Sequence, residues 1–314
     1  ELIFWRLLSH QIPFAAVVTV KDGLGWWGKT NIAEIANRFG IPVYEIHTEL
    51  PKHRYWLGLV VQYHHVLDLD TVHAFSYMLE VHIGELPRYR GTNPLAHAIF
   101  NARKDQYWFT GAALLHHDGS ADQGSLIDSV RVPLSPASNQ YEIYKRVEYV
   151  AYDLFAKWEK QIIRKPNSLP KLSQTPFVTL MNPCYTYYEA LLDNKFVDIY
   201  AVDLTIDDLW DLVRTLYFPP FDPVFIELDN TKFYLLVTPV LDIENTVYDI
   251  EGFIIQLETL TDSHAESLYV NIELSNEQMV AMKIVKDLSE HRATIYDNAI
   301  PVNEGIVYNH PIDV

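Results

Sequence analysis

The sequence is poor in several things, and each shortage narrows the reading. It holds a single cysteine, Cys184. No internal disulfide can form, so a cytoplasmic location is the default. Its 24 Lys and Arg stand against 41 Asp and Glu, a formal net charge of -17. Such a balance argues against the clustered basic surface that duplex or tRNA binding requires. The deficit is uneven: residues 222–314 carry 17 acidic and 4 basic residues, or -13 of the total. No apolar run approaches the roughly 20 residues of a bilayer span. The first residues lack the basic, apolar and small-residue order of a signal peptide. No internal repeat or low-complexity tract occurs.

What is present is an ordinary globular pattern. With 49% hydrophobic residues over 314 positions, the chain can bury a large core, and one large domain plus a smaller one is expected. The first 125 residues alternate strand-like and helix-like patterns, as α/β proteins do. Ala15 to Val20 reads as a buried strand. Asn31 to Phe39 then places Ile32, Ile35, Ala36 and Phe39 on one helical face before Gly40 and Pro42 stop it. Ile41 to Ile46 and Leu57 to Tyr63 read as further strands. Strand, helix and strand in succession imply a parallel sheet with right-handed crossovers, whose ligands sit beyond the carboxyl ends of the strands. From Tyr141 to Ile163 the apolar residues keep helical spacing, and the proline-bearing stretch Arg164 to Pro183 is the linker candidate. Thr205 and Asp208 make a capping pair for a helix through Tyr217, which Pro219-Pro220 ends. Phe225 to Val240 and Val247 to Leu257 read as strands, and Ser275 to Leu288 as a helix.

One stretch carries chemistry. His82 follows an apolar strand and opens His82-Ile-Gly-Glu-Leu-Pro-Arg-Tyr-Arg-Gly91-Thr-Asn-Pro94, with Thr110-Gly111 and Asp122-Gln-Gly124 further on. A histidine near neutral pKa can take a proton from an amine or donate to an oxyanion, and a carboxylate beside it can fix its tautomer. His82 and Asp122 suit those roles if each ends a strand of the same sheet. Two other motifs compete. Gly23-Leu-Gly-Trp-Trp-Gly28-Lys29-Thr30 fits the phosphate-loop pattern. Two tryptophans crowd that loop, however, and no strand-end aspartate for magnesium follows Leu57 to Tyr63. His64-His65 and His116-His117 suggest a metal. Adjacent strand residues diverge and no cysteine accompanies them, so no metal is expected.

These residues together resemble the folate-dependent formyltransferases over roughly residues 2–225. Leu86-Pro87-x-Tyr89-Arg90-Gly91 is similar to the loop after that family's catalytic histidine. Asn93-Pro94-Leu95 and Ala98-Ile99 continue it, Thr110-Gly111 opens the next strand, and Asp122-x-Gly124 matches the turn bearing the catalytic aspartate. The resemblance implies an α/β fold with a Rossmann-like, mostly parallel sheet and a smaller, mainly β C-terminal region. On it, residues 1–165 form the catalytic domain, with the first strand missing before Leu2. Residues 166–240 form a linker, helix and hairpin region, and 241–314 an extra α+β region of unknown role.

The resemblance also implies site roles. His82 would be the base and oxyanion partner and Asp122 its orienting carboxylate. Glu80 stands where the family has an asparagine, and an ionised carboxylate can only accept hydrogen bonds. Ala113 and Leu115 stand where threonine and histidine are common, and His116 or His117 is not expected to substitute. Gln62, Tyr63, His64, Leu67 and Asp118 would face the pterin of 10-formyltetrahydrofolate, the formyl donor. Arg90, Asn93, Phe218 and Phe221 would meet the acceptor. The acidic tail disfavours a tRNA acceptor. Leu204 to Arg214 followed by Tyr217-Phe-Pro-Pro-Phe221 resembles the sugar-nucleotide N-formyltransferases instead. The expected activity is formylation of a nucleotide-linked amino sugar, such as a dTDP-4-amino-4,6-dideoxy sugar, by a homodimer serving lipopolysaccharide O-antigen synthesis. The alternatives are formylation of an amino-acid amine such as hydroxyornithine, a non-catalytic folate- or nucleotide-binding homologue, and a phosphate-loop nucleotide hydrolase.

Overall fold

A computed structural model describes residues 1–19, 31–63, 65–120, 122–176, 184–186, 195–201, 203–219, 221–239, 247–262 and 265–289. The Gly23 to Thr30 motif lies outside the described residues, as does His64. The chain opens with α1 (Leu2–Ser9), β1 (Val17–Val18), α2 (Ile32–Arg38) and β2 (Val43–Tyr44). Asn31 caps α2, its side chain accepting from Ala33 N–H at 2.8 Å. β1 and β2 pair in parallel, Val17 opposite Val43.

The sheet that positions the site has the order β3 (Tyr55–Val61), β4 (Phe75–His82), β6 (Phe109–His116), β7 (Leu126–Pro133). β3 and β4 run parallel, with α3 (Leu69–Ala74) between them in sequence, whereas β4 with β6 and β6 with β7 are antiparallel. The α/β reading holds, with parallel pairing concentrated in the N-terminal strands. Leu79 and Val81 of β4 and Leu114 of β6 bury one face of the sheet against Val147, Leu154 and Phe155 of α5 (Gln140–Arg164). Each such side chain contributes roughly 1.5–3 kcal/mol. Between β4 and β6 the chain forms β5 (Tyr89–Gly91), parallel to β8 (Cys184–Thr186), and α4 (Pro94–Asn101). The Leu86–Pro87 peptide is cis.

A second core is built by α6 (Ile206–Leu216), β9 (Phe225–Leu228), β10 (Thr231–Thr238), β11 (Val247–Tyr248), α7 (Ile250–Asp262), β12 (Ser267–Glu273) and β13 (Met279–Val285). The sheet order is β11-β12-β13-β10-β9. Because β10 pairs with β13, residues on either side of position 240 share one sheet. Thr205 and Asp208 form the expected reciprocal cap of α6.

The stretch Phe225 to Val240 contains two strands, turned by Asp229 and Asn230 at φ +46° and +62°, the left-handed pair that suits a two-residue hairpin. Two expectations are overturned. Val247 to Leu257 is not a strand: only Val247 and Tyr248 pair, and α7 follows. Asp249 Oδ1 accepts from Gly252 N–H at 2.8 Å and starts the helix. Phe253, Leu257 and Leu260 then enter the core at helical spacing, although the isoleucines around them favour strand. Ser275 to Leu288 is not a helix either. Glu277 turns the chain at φ +64°, and Val280, Met282 and Ile284 of β13 alternate into the core.

Arg214 of α6 is fully buried at 0% exposure. It donates to Asp211 Oδ1 at 2.8 Å, Ile99 O at 2.9 Å and Ser138 O at 3.1 Å, tying α6 to α4 and to the turn before α5. Burial holds its pKa below the ordinary arginine value, against the pull of Asp211. Arg214→Met should strand those acceptors and an unbalanced Asp211, at a cost of about 3–5 kcal/mol. Urea unfolding of the variant measures it, and a loss below about 1 kcal/mol would show that Arg214 is not holding the helices together.

Candidate active site

β4 presents Glu80 and His82 on one face because they are two residues apart, while Val81 between them points into the core. His82 Nε2 lies 2.8 Å from the Tyr89 carbonyl oxygen. A carbonyl only accepts, so Nε2 carries the hydrogen. Nδ1 faces Asp122 Oδ1 at 3.3 Å. A proton on Nδ1 makes this an ion pair; without one, two acceptors oppose each other. Both side chains are buried.

Asp122 is held from several directions. Its Oδ2 accepts from Gly91 N–H at 2.6 Å, and its backbone sits at φ +53°, a left-handed conformation that aspartate tolerates better than most residues. Gln174 Nε2 donates to the carbonyls of Asp122 at 2.9 Å and Gly124 at 2.8 Å, and Arg90 Nη2 donates to Gln174 Oε1 at 2.7 Å. Two glycines are required by close approach. A Cβ at Gly124 would lie 1.6 Å from the His116 carbonyl oxygen, and one at Gly84 would lie 2.6 Å from His82 Nε2.

Glu80 does not stand alone. Its Oε2 meets His117 Nδ1 at 2.8 Å, with both side chains largely buried. Burial pushes the Glu80 carboxyl up, and Asp122 beside it adds to this, against the pull of His117 and His82. Burial also works against a charged His117, but the hydrogen bond and charge of Glu80, helped by Asp118 and Asp122, outweigh it and raise the His117 pKa. His117 Nε2 is buried with no hydrogen-bond partner among the described residues. Glu80, His82 and Asp122 each bring one ligand-type atom within 4.8 Å of the other two.

No family model matches the chain. Its curated relatives include the GDP-perosamine N-formyltransferase of Brucella melitensis, 24% identical over 166 residues covering 52% of this chain and 56% of that protein. A methionyl-tRNA formyltransferase of Roseiflexus sp. is 31% identical over 146 residues, covering 42% and 43%. The chain spans about half the length of the curated relatives it matches. Among solved structures, an N-formyltransferase from Helicobacter canadensis in complex with folinic acid and dTDP-3-aminofucose superposes with a TM-score of 0.58 at 16% identity, covering 91% of this chain and 94% of that one. The chain is similar in sequence to formyltransferases over about half its length and shares the fold of a solved N-formyltransferase.

The remaining expected positions fall into different places. Gln62 Oε1 accepts from the Tyr144 hydroxyl at 2.6 Å. The Tyr63 hydroxyl meets His47 N at 3.1 Å and Nδ1 at 3.0 Å, and Leu67 is packed with Val72 and Met78. These side chains are occupied within the fold. Val61, the last residue of β3, pairs with Val81 beside His82. Asp118 is exposed and bonded to Ser120 N at 3.0 Å. Arg90 supports the Asp122 turn through Gln174, as above. Asn93 begins α4 at φ +53°, its Nδ2 buried and without a hydrogen-bond partner. Phe218 is a core residue against Tyr141 and Tyr144, and exposed Phe221 stacks on it at 6.1 Å.

His117 is the residue sequence reasoning missed. Adjacent strand residues do diverge, and His116 indeed goes elsewhere, its Nε2 to the Pro170 carbonyl at 3.0 Å. β6 ends at His116, however, so His117 is outside the strand and free to turn toward Glu80. The available signal was Glu80 itself, since a buried carboxylate needs a donor.

Gly84→Ala should push the His82 ring off the Tyr89 carbonyl and cost about 1–3 kcal/mol. Urea unfolding and the ¹⁵N shifts of the His82 ring report it; an unchanged ring spectrum would mean the packing against Gly84 does not hold the ring. His117→Leu should destabilise the Glu80 chain by about 1–3 kcal/mol more than the Glu80→Gln chain. A double-mutant cycle with no such coupling would show that the two side chains are not paired.

Proposed function

We propose that this protein moves a formyl group from 10-formyltetrahydrofolate to the amine of a nucleotide-linked amino sugar, such as a dTDP-4-amino-4,6-dideoxy sugar. The observation that carries the reading is the buried His82–Asp122 pair, 3.3 Å apart, on a fold whose Helicobacter canadensis neighbour is described with folinic acid and dTDP-3-aminofucose over 91% of this chain. In formyl transfer the amine attacks the formyl carbon, a C–N bond forms, and the bond from that carbon to N10 of the folate breaks. The amine loses one proton and N10 gains one, so a single group can take the proton and return it. His82 fits that task. Its Nε2–H is fixed by Tyr89, leaving Nδ1 to accept the proton, and Asp122 stabilises the imidazolium that results.

The acceptor follows from charge. Residues 222–314, with 17 acidic and 4 basic side chains, are unsuited to a polyanion such as tRNA. A nucleotide sugar carries only a diphosphate. The backbone after β3 and the turn at 118–122 would hold the pterin, residues 1–165 would carry the chemistry, and the Phe218–Phe221 turn would lie toward the nucleotide. The proposed setting is the cytoplasm, with the protein as a homodimer serving O-antigen assembly; among the described residues no helix is long and apolar enough to cross a membrane. Glu80 favours a second reading: a carboxylate at the oxyanion position repels developing negative charge, as expected of a folate-binding homologue that has lost catalysis.

The test is formyl transfer from 10-formyltetrahydrofolate to a panel of dTDP-, UDP- and GDP-amino sugars, with hydroxyornithine alongside. Turnover with a nucleotide sugar is expected, and His82→Ala and Asp122→Asn should each lower kcat/KM by about 10²–10⁴-fold. Folate binding without turnover on any acceptor would establish the second reading, and turnover on hydroxyornithine alone would overturn the sugar.

A further inference from the structure

We infer that Glu85 is a positioning residue for His82: by anchoring the 85–91 loop to the sheet, it decides which ring nitrogen of His82 carries the hydrogen. Its side chain is 4% exposed although it stands on a loop. A carboxylate so buried needs donors, and two come from the sheet. Arg131 of β7 donates through Nε to Oε1 at 2.6 Å, and the hydroxyl of Tyr107, which precedes β6, lies 2.6 Å from each carboxylate oxygen. Burial pushes the Tyr107 pKa up, and the hydrogen bond and charge of Glu85 add to this, so the hydroxyl stays a donor. Arg88, from the loop itself, covers the Tyr107 ring with its guanidinium carbon 4.3 Å from the centroid.

This grip reaches the site through the backbone. Glu85 O accepts from Tyr89 N–H at 2.8 Å and closes the loop, and Tyr89 O accepts from His82 Nε2 at 2.8 Å. Further along the same loop, Gly91 N–H holds Asp122 Oδ2 at 2.6 Å. One loop therefore supplies a partner to each member of the pair. The two partners of His82 compete. Asp122 Oδ1, 3.3 Å from Nδ1, favours a hydrogen there, whereas Tyr89 O favours it on Nε2. A neutral imidazole carries only one such hydrogen, so the place of Tyr89 O decides between the tautomers.

The consequence for catalysis rests on the formyl-transfer reading; the hold on the ring does not. Acceptance of a proton at Nδ1 requires the hydrogen to sit on Nε2. With the loop released, the neutral ring takes the Nδ1–H form paired with Asp122, and that atom no longer serves as a base. Because Glu85 acts through the loop backbone, the loss falls on kcat rather than on KM.

The full chain, labelled with ¹⁵N in histidine, is compared with Glu85→Leu and Glu85→Gln in mildly alkaline buffer, where an ordinary imidazole is neutral. Glu85→Leu should move the His82 ring signals from the Nε2–H pattern toward the Nδ1–H pattern. It should also lower kcat for formyl transfer about 10–100-fold, with KM within about twofold of the wild type. Glu85→Gln keeps an acceptor for Tyr107 and Arg131 and should stay nearer the wild type in both. A folded Glu85→Leu chain, judged by near-ultraviolet circular dichroism, that retains the wild-type ring pattern overturns the proposal whatever its stability. If Glu85→Leu fails to fold, Tyr107→Phe and Arg131→Leu each remove one donor from the carboxylate; both should shift the pattern in the same direction, and a wild-type pattern in both overturns the proposal. Absence of formyl transfer by the wild type overturns the proposed activity alone, because the ring pattern is read without substrate.

Discussion

A carboxylate buried at Asp122 constrains everything around it. Removing such a charge from water costs several kcal/mol unless its oxygens are satisfied. Here one oxygen takes the Gly91 N–H and the other faces His82. That arrangement requires the chain to double back at Asp122 in a left-handed turn, which in turn requires Gly124 to press against the His116 carbonyl. Gln174 and Arg90 then brace the turn from behind. Residues that look like ligand contacts in a motif therefore serve the carboxylate's geometry.

The Glu80 to His117 contact is the second consequence of burying charge on this face of β4. An amide at position 80 would be neutral and could donate as well as accept. A carboxylate adds a negative charge next to Asp122, and the fold answers with a second imidazole. Two carboxylates and two imidazoles now share one pocket, and their total charge depends on how many protons they hold. This makes the site a different electrostatic object from one built on an asparagine. Coulomb interactions over a few ångströms in such a partly dry site are worth several times their value in water.

Much of this was legible in the sequence, for identifiable reasons. The pairing of His82 with Asp122 could be read because the turn residues Leu86-Pro87, Gly91 and Gly124 mark backbone positions with few alternatives. α2, α5 and α6 could be read from apolar spacing and from the caps at Asn31 and Thr205. The C-terminal elements could not. Ile250 to Leu257 has strand-like composition but packs as a helix, and Met279 to Val285 has helix-tolerant Met, Ala and Lys but packs as a strand. In both, long-range packing overrode local preference. His117 escaped because the argument from strand alternation stops applying one residue after a strand ends.

The buried Arg214 connects these two levels. It binds the carbonyl of Ile99 in α4, and Asp211, its neighbour on α6, binds Arg103 just beyond α4. α4 begins at Pro94, three residues after the Gly91 N–H that holds Asp122. The second core thus anchors the helix whose start fixes the carboxylate's donor. This coupling is positional, carried by the contacts of Arg214 and Arg103. The C-terminal core therefore shapes the site through where it holds α4, a short-ranged packing effect, whereas the field of its acidic side chains is screened over roughly 10 Å of salt solution.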